Sequence, residues 1–281
     1  MLVKYVSLAT ATQAQVLADI VALACGGSIA GLSAGADKAA CAVLANSEAS
    51  GWTLFDAAGP SSGKVLTAKD AANNDKFVNI YPSNTASFAI FGYDTYNNTT
   101  HTGTNTTAAP NKPIGWTSGT AQMYYIYATA RNLAIMSSNA AQVLSSFEFT
   151  REAPFMSSGI YPAHVVCGNW GLNNGFSIIR GKNPEGSGDL VSQLNSGYMM
   201  TIGGNTFAGP YRDASDAIVY PMMDAYLVSN IAFNGLPFGK FIDILMSSNT
   251  LGNFMDTANV DGVTYFVVPF GSYARVLLKM V

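Results

Sequence analysis

The stretch that decides the fold is Gly51-Trp52-Thr53-Leu54-Phe55-Asp56, followed by a turn-rich segment over 57–63 and by Lys64-Val65-Leu66-Thr67-Ala68. Two short apolar runs joined by Gly, Pro and Ser residues predict a β-hairpin. Similar runs recur at 76–81, 86–93, 123–127, 133–136, 141–150, 163–167, 176–179, 225–233, 239–246, 263–268 and 274–281. Many short strands separated by turn residues predict a mainly β-protein with an antiparallel sandwich-like or barrel-like body.

The N-terminal region has a different pattern. Apolar residues recur at helical spacing between Thr12 and Ala24, Gln15 completes a capping box with Thr12, and two glycines end the pattern. A short α-helix is expected there, and the Ala-rich segment 37–49 is expected to form a second one. We therefore divide the chain into a helical segment, 1–50, packed on a β-rich body, 51–281. That body forms one domain or two closely packed β subdomains.

The composition restricts the class of protein. The chain has 281 residues, of which 11% are charged and 49% hydrophobic, and its 68 Ser, Asn and Thr residues outnumber its charges more than two to one. An ordinary soluble domain is about a quarter charged. A large core with a neutral polar surface suits a permanently packed assembly subunit, or a very stable β-protein, better than a free cytosolic enzyme.

Charge and cysteine content exclude several classes. A net charge of −3 and a pI near 5.3 argue against nucleic-acid binding. The charge-free run 20–36 holds four glycines and two serines, so it predicts no membrane span. The three cysteines, Cys25, Cys41 and Cys167, include no CxxC pair. They indicate synthesis in a reducing cytosol. Polar residues interrupt the N-terminal apolar stretch, so no signal peptide is expected.

The segment 95–111 contains 17 residues without a formal charge and without apolar periodicity. It predicts a long exposed loop, which is either a mobile excursion or a contact with a neighbouring subunit or a host surface. The candidate contact residues are Tyr96, Asn97, Asn98, Thr99, His101 and Asn105.

The sequence contains no convincing catalytic constellation. The segment 59–64 resembles a phosphate-binding loop, but its glycines are one residue too close and Val65 replaces the Ser or Thr that would meet magnesium. His101 lies in a neutral loop, and His164 in an apolar run is expected to be half-buried. We predict no catalytic residue, no cofactor and no metal site. A polysaccharide hydrolase, whose two carboxylates no local pattern identifies, is a third alternative.

The tyrosines leave a binding function open. Tyr124, Tyr125 and Tyr127 lie on one predicted strand, where alternation is expected to expose some of them. Exposed Tyr and Asn could bind a glycan, although Tyr is also common at protein interfaces.

Several islands of sequence resemble structural proteins of tailed bacteriophages. They are Tyr5-Val6-Ser7-Leu8, the Thr12-to-Ala24 helix, 51–58 with 64–66, Phe147-Glu148-Phe149-Thr150-Arg151-Glu152-Ala153-Pro154 with Tyr161-Pro162, Leu251-Gly252-Asn253-Phe254-Met255-Asp256-Thr257 and Tyr265-Phe266-Val267-Val268-Pro269. These islands are packing motifs and carry no catalysis, so the resemblance implies no functional residue in this chain.

The resemblance implies a non-enzymatic virion component that is present in multiple copies and is assembled in the host cytoplasm. Its partners would be further copies of itself and neighbouring virion proteins of the tail, baseplate, neck or capsid surface. The alternative is a virion module that binds a host-surface glycan, or a capsid decoration protein.

Overall fold

The computed structural model describes residues 1–46, 48–69, 73–93, 95–104, 114–137, 142–151, 159–168, 176–178, 181–182, 189–190, 197–200, 211–212, 218–219, 222–229, 237–248, 251–270 and 274–280. Strands dominate this part of the chain, and an α-helix, α1 (Gln13–Ala24), lies near the N-terminus. The prediction of a mainly β-protein with a short N-terminal helix is confirmed.

The strands before residue 140 are β1 (Leu2–Val6), β2 (Ala42–Ala45), β3 (Thr53–Gly59), β4 (Gly63–Lys69), β5 (Asp75–Asn84), β6 (Ser87–Tyr93), β7 (Thr95–Asn97), β8 (Thr102–Thr104), β9 (Ile114–Gly115), β10 (Met123–Ala128) and β11 (Asn132–Ser137). Short 3-10 turns occupy Ile29–Gly31 and Pro60–Ser62. The second of these turns joins β3 to β4, so the segment that resembles a phosphate loop is a hairpin turn, as predicted.

The later strands are β12 (Gln142–Arg151), β13 (Gly159–Gly168), β14 (Phe176–Ile178), β15 (Gly181–Lys182), β16 (Asp189–Leu190), β17 (Gly197–Met200), β18 (Tyr211–Arg212), β19 (Ile218–Val219), β20 (Met222–Ser229), β21 (Pro237–Ser248), β22 (Thr257–Val260), β23 (Val263–Phe270) and β24 (Ala274–Lys279). The side chain of His164 lies outside the described part of the structure, so the prediction that it is half-buried stays untested.

Two sheets organise the molecule, and the described strand pairs are antiparallel. The larger sheet has 13 strands and runs β2-β1-β10-β11-β12-β21-β24-β23-β22, with β13, β14, β17 and β20 joined to this path. The smaller sheet has the order β3-β4-β5-β6-β9. In both sheets one edge strand comes from the first 60 residues, namely β2 in the larger sheet and β3 in the smaller one.

Helix α1 packs against both sheets. It contacts β10 of the larger sheet and β4 and β5 of the smaller one, and its buried residues belong to the same core as theirs. The helix begins as predicted, because the Thr12 hydroxyl accepts from the amide of Gln15 while Oε1 of Gln15 accepts from the Thr12 amide at 2.8 Å. Val16, Ile20 and Leu23 point into the core and are fully buried. Apolar burial of this kind is the main force that holds the two sheets together.

A buried carboxylate ties the helix to its surroundings. Asp19 of α1 is 2% exposed. Its Oδ2 accepts from the Tyr5 hydroxyl at 3.0 Å and from the Ser33 hydroxyl at 2.8 Å, and its Oδ1 accepts from the Ser33 amide at 2.7 Å. A buried carboxylate is tolerated only where donors replace its water, and these three donors fix β1, α1 and the segment after the first 3-10 turn relative to one another.

Trp52 forms a further contact between the two sheets. The indole Nε1 donates to the Thr129 carbonyl at 3.0 Å, and the side chain is 1% exposed. Trp52 directly precedes β3, and Thr129 directly follows β10. Gly51 has φ +71, and a Cβ built on it would lie 2.8 Å from Cα of Ala130, so the backbone of the two sheets meets here without room for a side chain.

Two local predictions were wrong. The described residues of 37–49, which are 37–46 and 48–49, form turns and strand β2 in place of a helix, because Ala42 and Val43 pair with Lys4 and Val3 of β1. A carboxyl oxygen of Asp37 accepts from the amide of Ala40 and holds the turn that leads into this strand.

The second wrong prediction concerns the three tyrosines of β10, which are all buried: Tyr124, Tyr125 and Tyr127 are at most 1% exposed. Both faces of β10 are covered. The hydroxyl of Tyr124 donates to the Gly115 carbonyl and that of Tyr127 to the Lys279 carbonyl, each at 2.9 Å. These tyrosines are core residues and do not form a binding surface.

Candidate functional site

The predicted contact segment folds onto the smaller sheet as a hairpin. Strands β7 and β8 pair through Thr95 with Thr104 and Asn97 with Thr102, so the described part of this segment is more regular than a loop. Oδ1 of Asn97 accepts from the amides of Thr99 and Thr100 at 2.8 and 3.1 Å, which closes the turn. Short polar side chains that bond to nearby amides are the usual reason for such a turn.

Asp56 of β3 is the anchor of this hairpin. Its Oδ2 accepts from the Tyr96 hydroxyl at 2.7 Å and lies 2.7 Å from Nδ1 of His101, while its Oδ1 accepts from the Ala58 amide at 2.8 Å. The Asp56 side chain is 6% exposed and that of His101 is 45% exposed. One end of the His101 ring is therefore fixed on a buried carboxylate, while a large part of the side chain faces solvent.

Two irregularities of the backbone bring Asp56 and His101 together. The pairing of β3 with β4 shifts register between Leu54 and Asp56, as expected for a bulge, and the bulge turns Asp56 inward while Leu54 and Phe55 stay exposed. His101 has φ 53, a left-handed conformation that non-glycine residues rarely adopt. Its contact with Asp56 stabilises this otherwise unfavourable backbone.

The contacts change the acidity of two groups. Burial acts to raise the pKa of Asp56, but hydrogen bonds from His101, Tyr96 and Ala58 and the charge interaction with His101 outweigh it, so the pKa lies below the ordinary 3.8. Burial, with the hydrogen bond to the Asp56 carboxylate, raises the pKa of the Tyr96 phenol well above its ordinary value. The carboxylate stays ionised and the phenol neutral at physiological pH.

An aromatic cluster lies beside these contacts on the outer face of the smaller sheet. The ring of Phe55 is 5.1 Å from that of Phe77 and 6.1 Å from that of Tyr96, centroid to centroid. Tyr96 in turn is 6.0 Å from Phe77 and 5.4 Å from Tyr93. Gly103 packs so closely against the Tyr93 ring that a Cβ added to the glycine would collide with the ring. The hairpin is therefore held by aromatic packing as well as by Asp56.

An open groove borders this cluster. Its volume is about 430 Å³, and it is lined by Asn73, Asn74, Asp75, Lys76, Phe77, Thr95 and Tyr96. Asp75 forms an ion pair with Lys69 at 2.8 Å at one side of it. Amide, carboxylate and hydroxyl groups thus converge next to aromatic rings, which is the mixture found in sites for polar organic ligands.

Four exposed apolar residues on two edge strands form a second feature of functional interest. Val43 and Leu44 on β2 are 52% and 39% exposed, and Leu54 and Phe55 on β3 are 48% and 37% exposed. Each pair lies on the edge strand of its sheet. The sequence analysis identified neither pair. Apolar residues in a predicted strand indicate a buried strand, and the order of the strands, which would show that this one is at an edge, does not follow from the sequence.

The predicted contact residues have different positions. Asn97, Asn98, Thr99 and His101 are exposed, Tyr96 is half-buried, and Asn105 lies outside the described residues. The structure brings Tyr96 and His101 together on Asp56, a partner that no local motif marks because it is 45 residues from His101. Asn97 shapes the turn.

The described residues contain no group of three or more His, Cys, Asp or Glu that could hold a metal ion. Within the same ranges, no helix is long and apolar enough to cross a membrane. In comparisons with known proteins, no family model matches this chain and no curated protein matches its sequence.

Proposed function

We propose that the chain is a non-enzymatic structural subunit of a tailed-bacteriophage virion, present in multiple copies and bound to neighbouring virion proteins. The observation that carries the assembly part is the pair of exposed apolar edge strands, β2 with Val43 and Leu44, and β3 with Leu54 and Phe55. The virion part rests on the resemblance of the sequence islands to phage structural proteins.

Edge strands support this proposal for a physical reason. An exposed edge presents unpaired amides and carbonyls, and monomeric proteins protect it with charged residues, proline or a covering segment. Here both edges carry apolar side chains in a chain with only 11% charged residues. Surfaces of this kind are stable when another subunit covers them, and a multi-copy particle provides such a neighbour.

The other chemistry of the chain is consistent with assembly in the host cytoplasm. Cys25 and Cys41 are free thiols, so this part of the fold does not depend on an oxidising compartment. The Asp56 contacts fasten a hairpin. In this proposal the neighbours lie in the tail, baseplate, neck or capsid surface, and a capsid decoration protein is an alternative.

Two measurements test the proposal. Mass spectrometry of purified phage particles, grown from a genome that encodes this chain, should detect it in a stoichiometry of several copies per particle. Light scattering of the isolated protein over a range of concentrations should show a discrete oligomer, or a monomer that binds a purified virion protein. Absence of the chain from washed particles would refute the virion assignment.

A second candidate function is favoured by the groove beside Phe55 and Tyr96. Aromatic faces next to Asn73, Asn74 and Asp75 suit a sugar, whose C–H faces pack on rings while its hydroxyls bond to amides and carboxylates. A glycan array tests it with two matched variants on one strand. Phe55 packs against the Phe77 and Tyr96 rings that line the groove, so Phe55→Ala should weaken binding while Leu54→Ala should retain it. An array without signal for the wild-type protein would rule the candidate out.

A further inference from the structure

The β7–β8 hairpin lies on the smaller sheet without strand pairing to it. Its two strands form a two-stranded sheet of their own, and no described strand of the five-stranded sheet pairs with either of them. Four of the six residues in these strands are exposed, namely Thr95, Asn97, Thr102 and Thr104. Elements with exposed main-chain hydrogen bonds and little buried apolar surface open at a lower free energy than core strands do. The hairpin therefore has the features of an element that opens by itself.

The contacts that hold the hairpin in place centre on two side chains of the smaller sheet. The Tyr96 hydroxyl and Nδ1 of His101 each lie 2.7 Å from Oδ2 of Asp56. Gly103 packs on the ring of Tyr93, which is 5% exposed. Lifting the hairpin would break both contacts to the carboxylate and expose the ring. The described arrangement is thus a closed position with defined contacts.

The groove beside the aromatic cluster is built from both elements. Thr95 and Tyr96 of β7 form one part of its described lining, and residues 73–77, which lead into β5, form the other. One part therefore moves with the hairpin, while the other belongs to the five-stranded sheet. A ligand that touches both parts binds the closed position better than an open one, so its binding must stabilise the closed position.

We propose that the β7–β8 hairpin is a lid on the groove, which opens without unfolding of the five-stranded sheet and which a bound sugar holds closed. The inference rests on the second candidate function, the sugar site, and adds the element that admits the ligand. Asp56 and His101 are not among the described lining residues of the groove. They are positioning residues, because they fix the hairpin that carries Tyr96.

Hydrogen exchange of the wild-type protein tests the independent opening. The amides of β7 and β8 should be protected at least about a hundredfold less than those of β4 and β5, because the hairpin opens at a lower free energy than the sheet. Low concentrations of urea should leave the exchange of the hairpin nearly unchanged, since its opening exposes little surface. Equal protection of the hairpin and of β4 and β5 would overturn the lid, because the two would then open only together.

Matched variants test the contacts to Asp56. Tyr96→Phe keeps the ring and removes the hydroxyl, so it should raise the exchange rate of the hairpin amides about tenfold. His101→Ala should have a similar effect. His101→Asn should retain most of the protection, because Asn has a donor at the position of Nδ1 and tolerates the left-handed backbone. Tyr125→Phe, which removes a hydroxyl from the larger sheet, is the control that leaves the hairpin unchanged.

Soluble sugars test the coupling between the groove and the hairpin. Lactose, cellobiose and chitobiose are the probes, and calorimetry measures whether each of them binds. A sugar that binds should slow the exchange of the β7 and β8 amides as its occupancy rises, by the mass action that stabilises any liganded state. Exchange in β4 and β5 should change less. His101→Ala should bind the same sugar more weakly, because part of the binding free energy is then used to close the hairpin, and His101→Asn should bind it nearly as the wild type does.

The outcomes separate the lid from the sugar site. A sugar that binds without slowing the exchange of the hairpin overturns the lid and leaves the sugar site standing. Absence of binding by all three sugars overturns the sugar-closed lid together with the sugar site, even where the hairpin exchanges fast. Acceleration of β4 and β5 as large as that of the hairpin in Tyr96→Phe overturns the lid, because the contact would then serve the whole sheet. None of these results bears on the virion proposal, which the analysis of phage particles decides.

Discussion

The Nδ1 atom of His101 lies 2.7 Å from the Oδ2 atom of Asp56, although 45 residues separate them in the chain. The contact joins the turn of the β7–β8 hairpin to the edge strand of the smaller sheet. Tyr96 donates to the same oxygen, so one buried carboxylate holds the hairpin at two points. Charge-assisted hydrogen bonds of this kind are stronger than neutral ones.

Replacing Asp56 should therefore release the hairpin. We expect Asp56→Ala to lower the free energy of unfolding by about 1–3 kcal/mol, because Tyr96, His101 and the Ala58 amide lose their common acceptor. Hydrogen exchange should accelerate most in β7 and β8. The exposed carboxylate of Asp261 provides the control, since Asp261→Asn should change the stability by less than about 0.5 kcal/mol. Equal exchange rates in wild type and Asp56→Ala would contradict this role.

The low pKa of Asp56 gives a pH signature. A carboxyl whose pKa is lower in the folded state contributes stability above its unfolded value of 3.8, and loses it as the pH falls through the folded value. Urea unfolding of the wild type should therefore show a loss of stability below about pH 4. In Asp56→Asn that loss should be smaller, because the group no longer titrates. Parallel curves for the two proteins between pH 5 and pH 3 would count against it.

Trp52 should be among the most sensitive core positions. Its side chain is 1% exposed and donates to the Thr129 carbonyl across the two sheets, so Trp52→Ala should cost about 3–5 kcal/mol. Chemical unfolding followed by circular dichroism measures this loss. Phe55→Ala, at an exposed position of β3, should cost much less. Comparable losses for the two variants would mean that Trp52 does not join the sheets.

Substitutions at two glycines distinguish the energetic cost of a left-handed backbone from the cost of a steric collision. Gly119 has φ +77, and a Cβ added there would have no neighbouring atom within 4 Å, whereas at Gly51 the Cβ would lie 2.8 Å from Ala130 Cα. Gly119→Ala should cost about 1–2 kcal/mol from the left-handed backbone alone. Gly51→Ala should cost clearly more, as measured by urea unfolding. If Gly51→Ala were the milder change, the close approach of the sheets at this point would be refuted.

The Cys25 thiol should react slowly. Burial raises its pKa to about 11 from an ordinary 9.0, so at pH 8 the thiolate fraction is about a hundredfold lower than for a free thiol. Folding keeps this group protonated, and the stability linked to it is lost as the pH rises through about 11. In a Cys41→Ser, Cys167→Ser background, which leaves Cys25 as the single thiol, Ellman's reagent should label the native protein slowly and the denatured protein at once. Fast labelling of the native protein would contradict the burial of Cys25.

Parts of the fold follow from local sequence and parts do not. The cap of α1 depends on Thr12 and Gln15, three residues apart, and the β3–β4 turn depends on contiguous residues, so both were predictable. The segment 37–49 has helical composition, but Ala42 and Val43 pair with β1 nearly 40 residues away, and tertiary pairing overrides propensity.

The candidate site was only partly predictable for the same reason. The neutral segment 95–111 drew attention to Tyr96 and His101, yet the acceptor that positions them, Asp56, is a single acid in an apolar run. The prediction that some tyrosines of β10 are exposed assumed that one face of this strand meets solvent. Tyr124 and Tyr125 point to opposite faces, so one of them would then have been exposed. Both faces are covered, and no pattern within β10 reports this.

The position of β1 inside the larger sheet has a consequence for synthesis. Leu2 pairs with Tyr127, so β1 leaves the ribosome long before β10, its partner on one side. At about 5–20 residues per second, translation from Leu2 to Tyr127 takes roughly 6–25 s. During that time an apolar strand lacks one of its two neighbours, and pairings over such long sequence distances also fold slowly. The nascent chain is thus a natural client for chaperones, and its yield should depend on them more than that of a helical protein of the same length.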